Sequence, residues 1–308
     1  MSTSVKAAND WLLSLHKLGI KFGLHNMRAL LAASGRPERA FPAVHIAGTN
    51  GKGSSAAFLA AIAQAAGLKV GLTTSPHLVK INERIAINGV PISDRELARE
   101  VNEIRESLLQ LNVARPDDPL RPTFFEATIL LAFRYFAREK VDLAIVETCL
   151  GGRLDATNVL MPKLSVITNI ALEHTELLGT TLPAIAREKG GIIKRGVPLI
   201  TGVSEPEALV VLERLAKKRE APCLRLGREF EVRVMNKKQD TLGFRAAGTT
   251  LANVRLALAG EHQRDNAAVA FAAACELARM DFPIDKTAIR HGLENARWPG
   301  RLELRAGN

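Results

Sequence analysis

The sequence predicts an α/β fold with a mostly parallel sheet flanked by helices and a phosphate loop. The first observation is the glycine-rich run 45–55 (HIAGTNGKGSS), which an apolar segment precedes and an alanine-rich helical pattern follows. The second is the alternation of short apolar runs with amphipathic segments, which is typical of βαβ units. The third is a change to short, alternating segments punctuated by glycine over 223–259, which predicts a small antiparallel β segment.

The first half of the chain is divided into elements by local start and stop signals. Gly67 ends the helix after the phosphate loop, and Ser93 with Glu96 forms a capping box that opens the next long helix. An Asn88-Gly89 turn closes a short β piece, 84–88, and the proline-containing stretch 112–121 is loop. The predicted helices are 9–18, 26–33, 52–66, 93–111 and 123–140, and the predicted strands are 41–47, 69–74 and 141–147.

The second half continues the alternation until the antiparallel segment. Ser204 with Glu207 predicts a second capping box. The predicted strands are 164–170 and 197–201, and the predicted helices are 182–193, 204–219, 262–280 and 285–293.

Composition limits the class of protein. With 308 residues, 47% hydrophobic and 24% charged, the chain is long enough for one large or two modest globular domains. The net charge of +10 suits anionic substrates, but the basic residues are dispersed and aromatics are only 5%, so no nucleic-acid partner is expected.

The three cysteines and the apolar segments indicate a cytoplasmic protein. Cys149, Cys223 and Cys275 are far apart, which argues for a reducing compartment and against a disulfide frame or metal cluster. No signal peptide pattern is present at the N-terminus. The most apolar stretch, 56–72, is interrupted by Gln64 and Lys69 and is too short to span a bilayer, so no membrane association is expected.

The glycine-rich run has the chemistry of a phosphate cradle. Its glycines let backbone N–H groups turn toward an anion at the positive end of the following helix. Lys52 can reach terminal phosphates, and Ser54 or Ser55 can face Mg²⁺. The run departs from the usual Gly-Lys-Ser/Thr ending because Gly53 separates Lys52 from Ser54.

Polar residues follow the predicted strands, and in open α/β sheets ligands bind at the carboxyl ends of the strands. The second strand leads to 74–78 (TSPHL), the third ends at Glu147 and leads to 151–158 (GGRLDATN), and the fourth leads to Glu173 and His174. Oxygen donors and an imidazole at the same edge of the sheet would suit an Mg²⁺ ion that is bound together with phosphates. Taken singly, Glu147 is as compatible with an ion-paired or capping role as with a ligand role, and a lone histidine such as His174 is more often structural than a ligand.

Several motifs in order resemble those of folylpolyglutamate synthase/dihydrofolate synthase, a family of Mur-type ATP-dependent amide ligases. The matching segments are 45–54, 74–78 with 82–85 (NERI), 151–158, the His174 region, 188–194 (EKGGIIK), 262–267 (HQRDNA) and 298–301 (WPGR). The resemblance covers about residues 10–305. It implies a fold of the Mur-ligase central-domain type and an ATP-driven ligation of L-glutamate to dihydropteroate or a reduced folate through an acyl phosphate.

The resemblance also implies roles for individual residues. Lys52, Lys189 and His174 are expected to be catalytic, with a carbamate on Lys189 and two Mg²⁺ sites possible. Metal ligands are expected at Ser75, Glu147 and His174. ATP contacts are expected from Thr49, Asn50, Gly51, Lys52, Gly53, Ser54, Asn266 and Arg301. Folate or pterin contacts are expected from Phe22, Gly23, Leu24, His77, Arg84, Phe124 and Asp155.

Three features depart from the family pattern. Cys149 and Glu173 replace the usual glycine and aspartate, which we expect to tune the site. The third concerns domains: we expect an ATPase domain over 1–297, with the β subregion 223–259, and the start of a linker over 298–308, without the C-terminal domain that completes the glutamate site. The chain alone is then expected to be a monomer that binds ATP–Mg²⁺ and pterin but ligates poorly. Two alternatives stay open, another Mur-type amino-acid ligase and a non-catalytic nucleotide-binding module.

Overall fold

The structure, a computed structural model, describes residues 4–19, 23–113 and 115–300. The strands are β1 (Ala43–Ala47), β2 (Val70–Thr73), β3 (Ile85–Ile87), β4 (Val90–Pro91), β5 (Leu143–Glu147), β6 (Leu164–Ile167), β7 (Leu199–Thr201), β8 (Cys223–Arg225), β9 (Phe230–Asn236), β10 (Thr241–Ala246) and β11 (Thr249–Val254).

The helices alternate with these strands. They are α1 (Val5–Ser14), α2 (His25–Ala33), α3 (Lys52–Ala65), α4 (Asp94–Val113), α5 (Phe124–Arg138), α6 (Thr175–Leu178), α7 (Leu182–Lys189), α8 (Pro206–Lys218), α9 (His262–Ala278) and α10 (Lys286–Asn295). Short 3₁₀ helices cover Leu15–Leu18, Pro37–Arg39, Ile81–Arg84, Ala156–Val159 and Gly190–Ile192.

An eight-stranded sheet in the order β4-β3-β2-β5-β1-β6-β7-β8 forms the centre of the protein. Within this order, the neighbouring strands β2, β5, β1, β6, β7 and β8 pair in parallel. At the other end of the sheet, β3 and β4 add an antiparallel edge. A separate antiparallel sheet has the order β11-β10-β9. This confirms the predicted fold class, because alternating strands and helices produced a mostly parallel sheet covered by helices.

Both faces of the central sheet are buried, and the side chains of β1 alternate between them. Val44 and Ile46 join the apolar cluster that α3, α9 and the small sheet complete. Ala43 and Ala47 belong to two clusters on the opposite face, one under α5 and one under α7. Because side chains in a strand alternate with a period of two, His45 shares the face of Ala43 and Ala47. This strand therefore brings a polar ring into the interior.

The small antiparallel sheet is shorter than the predicted segment 223–259. The stretch Cys223–Arg225 is the edge strand of the main sheet, where Cys223 pairs with Leu199 in parallel. The antiparallel sheet begins only at Phe230. A strand of three residues carries no sequence pattern that identifies its partner, which is why the prediction assigned it to the wrong sheet.

The helix ends agree with their capping chemistry more closely than with the predicted bounds. α1 begins early, at Val5, because the Ser4 hydroxyl accepts the N–H of Ala7 at 3.2 Å. The Ser93 cap is confirmed by its bond from the N–H of Glu96. The second predicted capping box is wrong, since Glu205 precedes α8 without a side-chain cap.

The predicted helix 182–193 is interrupted. It is α-helical to Lys189 and continues as a 3₁₀ turn over Gly190–Ile192. The single-turn helix α6 was not predicted. In the parts of the chain that the structure describes, no helix combines the length and the apolarity needed to cross a membrane.

Candidate functional site

The phosphate loop connects β1 to α3, as the strand–glycine–helix pattern predicted. Gly51 precedes α3 with φ +80°, a left-handed conformation that favours glycine. A Cβ on Gly51 would lie only 2.0 Å from the Oδ1 atom of Asn266, so a larger residue would displace that amide. The free N–H groups of the first turn of α3 follow directly, which makes this end of the helix suited to an anion.

The ammonium group of Lys52 lies over the loop. Its Nζ atom donates to the carbonyl oxygens of Gly48 and Thr49, both at 2.8 Å. A phosphate would offer this cation a charged acceptor, and charge-assisted hydrogen bonds are about twice as strong as neutral ones. Lys52 is therefore positioned to exchange carbonyl partners for a phosphate.

The loop is fixed by the segment that follows β6. The backbone N–H of Thr49 donates to the carbonyl of Asn169 at 3.0 Å, and the N–H of Asn50 donates to the Oδ1 atom of Asn169 at 2.8 Å. The Thr168 hydroxyl donates to the carbonyl of Asn50 at 2.6 Å. Neighbouring strand ends thus hold the backbone of the loop before any ligand binds.

The first turn of α9 contacts the other end of the loop. The Gln263 side-chain amide donates to the Ser54 hydroxyl at 3.3 Å and accepts from the amide of Asn266 at 3.0 Å. The Ser55 hydroxyl donates to the carbonyl of Asn266 at 3.3 Å. The structure thus brings together Ser54 and Asn266, two residues predicted to bind ATP, whereas Arg301 lies outside the described residues.

Two of the three residues predicted to bind metal lie together. Glu147 ends β5 with its side chain buried, and it accepts the backbone N–H of Ser75 at 3.2 Å. His174 is exposed at the start of α6, with φ +45° and its Nδ1 atom 3.9 Å from Glu176. Within 4–19, 23–113 and 115–300, no group of three or more histidine, cysteine, aspartate or glutamate side chains is arranged so that it could hold a metal ion. Mg²⁺, however, often uses only one or two carboxylates besides phosphates and water.

Lys189, at the end of α7, is buried beneath the phosphate loop with 1% of its surface exposed. Its Nζ atom donates to the carbonyl of Gly48 at 2.8 Å and to the Oε1 atom of Glu173 at 2.6 Å. Burial lowers the pKa of Lys189, and the bond to Glu173 partly opposes this. A lysine that only complemented the helix dipole would lie at the surface. Lys189 is buried instead, and it is part of the structure that supports the phosphate loop.

A cavity of about 430 Å³ lies beside these groups, after the end of β5. Its wall includes the exposed ion pair between Arg153 and Glu188, whose Nη2 and Oε1 atoms are 3.0 Å apart. Of the residues predicted to contact folate, Gly23 and Asp155 border it. The other lining residues are Gly19, Thr123, Phe125, Glu126, Cys149, Leu150, Gly151, Gly152, Leu154, Ala156, Leu177 and Leu178.

Three other residues predicted to contact folate contact one another near α5. The Arg84 guanidinium lies 5.3 Å from the centre of the Phe124 ring, and its Nε atom donates to the Nδ1 atom of His77 at 2.8 Å. The ring of His16 stacks on Phe124 with a centroid distance of 3.8 Å. Burial lowers the pKa of Arg84 and of His77, so His77 accepts as a neutral ring.

His16 is a residue that sequence reasoning missed, because it belongs to no motif and lies just beyond α1 in the 3₁₀ turn Leu15–Leu18. Leu24 lies at the start of α2. Phe22 lies outside the described residues.

Known proteins resemble this chain over nearly its whole length. Residues 46–274 match the Mur ligase middle domain family. The chain is 42% identical to dihydrofolate synthase/folylpolyglutamate synthase of Bacillus subtilis, covering 99% of this chain and 71% of the relative. It is 38% identical to folylpolyglutamate synthase of Lacticaseibacillus casei, covering 89% of this chain and 64% of the relative.

Solved structures agree with these sequence relatives. Folylpolyglutamate synthetase from Lactobacillus casei superimposes with a TM-score of 0.89 at 32% identity, over 99% of this chain and 74% of that one. A complex of FPGS with AMPPCP and folate gives a TM-score of 0.90 at 34% identity, over 98% and 74%. The chain belongs to the folylpolyglutamate synthase/dihydrofolate synthase family of Mur-type ATP-dependent amide ligases.

Proposed function

We propose that the protein ligates L-glutamate to dihydropteroate, to a tetrahydrofolate (poly)glutamate, or to both, with ATP as the energy source. The observation that carries the proposal is the convergence of three features at neighbouring strand ends. The phosphate loop, the buried Glu147 carboxylate and Lys189 meet there, and the cavity of about 430 Å³ opens beside them. A phosphoryl donor and an organic acid can therefore be held side by side.

The reaction we propose has two steps. A carboxylate oxygen of the pterin substrate attacks the γ-phosphorus of ATP, so that the bond to the β–γ bridging oxygen breaks and ADP leaves. The amine of glutamate then attacks the acyl carbon of the resulting acyl phosphate, inorganic phosphate leaves with the oxygen of the broken C–O bond, and the amine loses a proton. Both steps crowd anions together, so positioning and charge neutralisation dominate catalysis.

The nucleotide half of the site is proposed to lie on the phosphate loop. Lys52 would neutralise the terminal phosphates, and the backbone of 49–54 would bind them through N–H groups, with Ser54 oriented by Gln263. Asn266 would contact the adenine, and Arg301 would contact the phosphates. Residues 1–297 would form this ATPase domain, and 298–308 would begin a linker.

Mg²⁺ is proposed to bind through Ser75, Glu147 and His174, with ATP supplying further oxygens. The residues fit the ion in their chemistry, because the Glu147 carboxylate is buried beside Ser75 and both offer the oxygen ligands that Mg²⁺ prefers. The ion would neutralise charge that develops on the transferring phosphoryl group. His174, which is exposed before α6, would have to move toward Glu147 and Ser75 when the ion binds.

Lys189 is proposed to carry a carbamate. Its lowered pKa favours the neutral amine, which alone can attack CO₂ with loss of a proton. Carbamylation would replace a cation by an anion beside Glu173, and a second Mg²⁺ would offset the two negative charges. In the form described here the same amine instead pairs with Glu173.

The pterin substrate is proposed to use the cavity together with the cluster of His77, Arg84 and Phe124. Arg84 is a fixed cation beside an aromatic face, a combination that suits a flat, polar ring system. Phe22, Gly23, Leu24 and Asp155 complete the proposed contacts, with Asp155 contributing its backbone because its carboxylate accepts four hydrogen bonds from the protein. These 308 residues, which span 71% of the Bacillus relative, are proposed to bind ATP–Mg²⁺ and pterin but to ligate glutamate slowly by themselves.

Thermal denaturation with and without ligands tests the proposal. A non-hydrolysable ATP analogue with Mg²⁺ and dihydropteroate or folate should each raise the melting temperature, since a ligand at 100 times its Kd stabilises by about 2.7 kcal/mol. A Lys52→Met variant should lose most of the nucleotide effect and keep the folate effect. Stabilisation by a UDP-sugar instead of folate would indicate another Mur-type ligase, and stabilisation by nucleotide alone would indicate a non-catalytic module.

A further inference from the structure

A buried hydrogen-bonded chain leads from the central strand to the cavity wall. His45, in the middle of β1, has none of its surface exposed. Its Nε2 atom lies 2.8 Å from the hydroxyl of Thr157, in the 3₁₀ turn Ala156–Val159. The Thr157 hydroxyl in turn donates to the Oδ1 atom of Asp155 at 2.5 Å.

The chain ends on two backbone amides at the cavity. The Oδ2 atom of Asp155 accepts the N–H groups of Cys149 and Leu150, both at 2.9 Å. The Oδ1 atom accepts the N–H of Thr157 at 3.0 Å besides its hydroxyl. Burial raises the pKa of Asp155, and the hydrogen bonds from Thr157, Leu150 and Cys149 oppose this. Because four donors are directed at its two oxygens, the geometry favours the carboxylate, which can accept all four bonds.

The direction of every hydrogen bond in the chain follows from that charge. A carboxylate can only accept, so the single hydroxyl hydrogen of Thr157 is used toward Asp155. The Thr157 oxygen can then only accept from His45, which requires a hydrogen on Nε2, and in the neutral ring that burial favours, Nδ1 carries none. The Nδ1 atom of His45 is left as an acceptor, and it is indeed a buried atom without a hydrogen-bond partner.

The surroundings of His45 are consistent with a neutral ring. Its burial, with the charge of Lys194 as a second cause, lowers the pKa of His45 to about 3. Lys194 itself donates to the carbonyl and to the side chain of Asn158. The Asn158 amide then donates to the carbonyls of Arg153 and Gly191. The polar side chains of residues 155–158 therefore support the cavity wall through hydrogen bonds on its side facing the protein interior.

We propose that His45 is a positioning residue of the cavity. It acts through the Thr157 hydroxyl and the Asp155 carboxylate to fix the backbone of Cys149 and Leu150, two and three residues beyond Glu147. Without the imidazole donor the Thr157 oxygen loses its partner and the loop that borders the cavity loosens. The inference does not depend on which ligand fills the cavity, so it can fail or succeed separately from the proposed function.

Amide hydrogen exchange in the folded protein tests this role of His45. His45→Leu and Thr157→Val should each speed exchange at Cys149 and Leu150 by roughly 5- to 100-fold, the range expected for loss of one buried hydrogen-bond partner. The double variant should exchange no faster than the faster single variant, because both interrupt one chain. His45→Gln, whose amide can still donate, should restore slow exchange.

The matched control is Ser165→Ala. Ser165 pairs with His45 in the register of β1 and β6, is equally buried, and donates to the carbonyl of Ile192 away from the chain. This variant should leave exchange at Cys149 and Leu150 unchanged.

A measurement on the unaltered protein keeps the inference falsifiable even where a variant does not fold. Nitrogen-15 NMR of the His45 ring should show hydrogen on Nε2 and none on Nδ1. Hydrogen on Nδ1 would overturn the proposal. So would wild-type exchange rates in His45→Leu, or effects of His45→Leu and Thr157→Val that multiply in the double variant.

Discussion

Replacing Gly53 by alanine tests why the phosphate loop departs from the usual Gly-Lys-Ser/Thr ending. Gly53 is the second residue of α3, and the indole of Trp298 lies against it. A Cβ on Gly53 would lie 2.8 Å from the Cζ2 atom of Trp298 and 3.1 Å from Cε2. Packing against Trp298 is therefore one reason why glycine stands at position 53. Any contact of Gly53 with phosphate would be a second reason.

The magnitude follows from two opposing effects. Ordinary van der Waals contact needs 3.4–4 Å and the Cβ would lie 2.8 Å from the ring, so the indole would have to move by roughly 0.6–1.2 Å from the apolar cluster on which it packs. Such overpacking costs about 1–3 kcal/mol. Alanine in a helix gains about 0.5–1 kcal/mol over glycine. We expect Gly53→Ala to lower the free energy of unfolding by about 1–2 kcal/mol.

Urea unfolding followed by circular dichroism measures this change in two backgrounds. With Trp298 present, Gly53→Ala should destabilise the protein. With Trp298→Ala, only the helix preference remains, so the same substitution should stabilise by about 0.5–1 kcal/mol. In a Trp11→Phe background, where Trp298 is the remaining tryptophan of the two, Gly53→Ala should shift its fluorescence to longer wavelength as the ring becomes more exposed.

The change in stability caused by Gly53→Ala should have opposite signs with and without Trp298. This reversal distinguishes packing against the indole from other causes. An equal loss of stability in both backgrounds would show that Gly53 is needed for its backbone conformation and not for the contact with Trp298. A stabilising effect in both backgrounds would show that the indole moves aside at no cost. Either result would refute the reasoning.

Three further predictions concern charged or titrating groups. Lys52→Met should change the melting temperature of the free protein little, because the Lys52 ammonium donates to two neutral loop carbonyls, yet should remove most of the stabilisation by an ATP analogue with Mg²⁺ in the same assay. Since the pKa of His45 is about 3 in the folded state, the unfolded chain takes up a proton first, and wild type should lose up to about 4 kcal/mol more than His45→Gln between pH 6.5 and 3 in urea titrations. Burial lowers the pKa of Lys194 to about 8 from 10.5, so stability should rise by about 1–2 kcal/mol from pH 8 to 10.5, after allowance for solvent screening, and Lys194→Gln should abolish the rise.

Local signals made the phosphate loop and the end of β5 predictable. An apolar run, a cluster of glycines and an alanine-rich helix each depend only on neighbouring residues, and together they placed Lys52 and Gly51 where the structure has them. The same applies to Glu147, because parallel strands end at one edge of a sheet. The role of Lys189 had no such signal, since its burial depends on the contact between α7 and a loop more than a hundred residues earlier.

The direction of side chains in irregular segments could not be predicted. Asp155 lies in a motif that suggested a ligand contact, but its carboxylate is committed to four hydrogen-bond donors of the protein. His45 looked like one more residue of a buried strand. Its importance becomes visible only when the turn that contains Thr157 is folded against β1. The partner of His45 is 112 residues away in the sequence. The partners of Asp155 are within six residues, but they lie in an irregular turn whose side-chain directions follow no periodic pattern.

One strand supports both halves of the proposed site. His45 in β1 reaches Thr157 and hence the cavity wall, and three residues later the carbonyl of Gly48 accepts from both Lys52 and Lys189. A displacement of β1 along its axis would therefore change the nucleotide loop and the cavity together. Because β1 is hydrogen-bonded on both sides, to β5 and β6, it is less free to move than an edge strand of the sheet. This rigidity is what the proposed chemistry needs, since phosphoryl transfer from bound ATP to a bound carboxylate depends on holding the reacting atoms at a fixed separation.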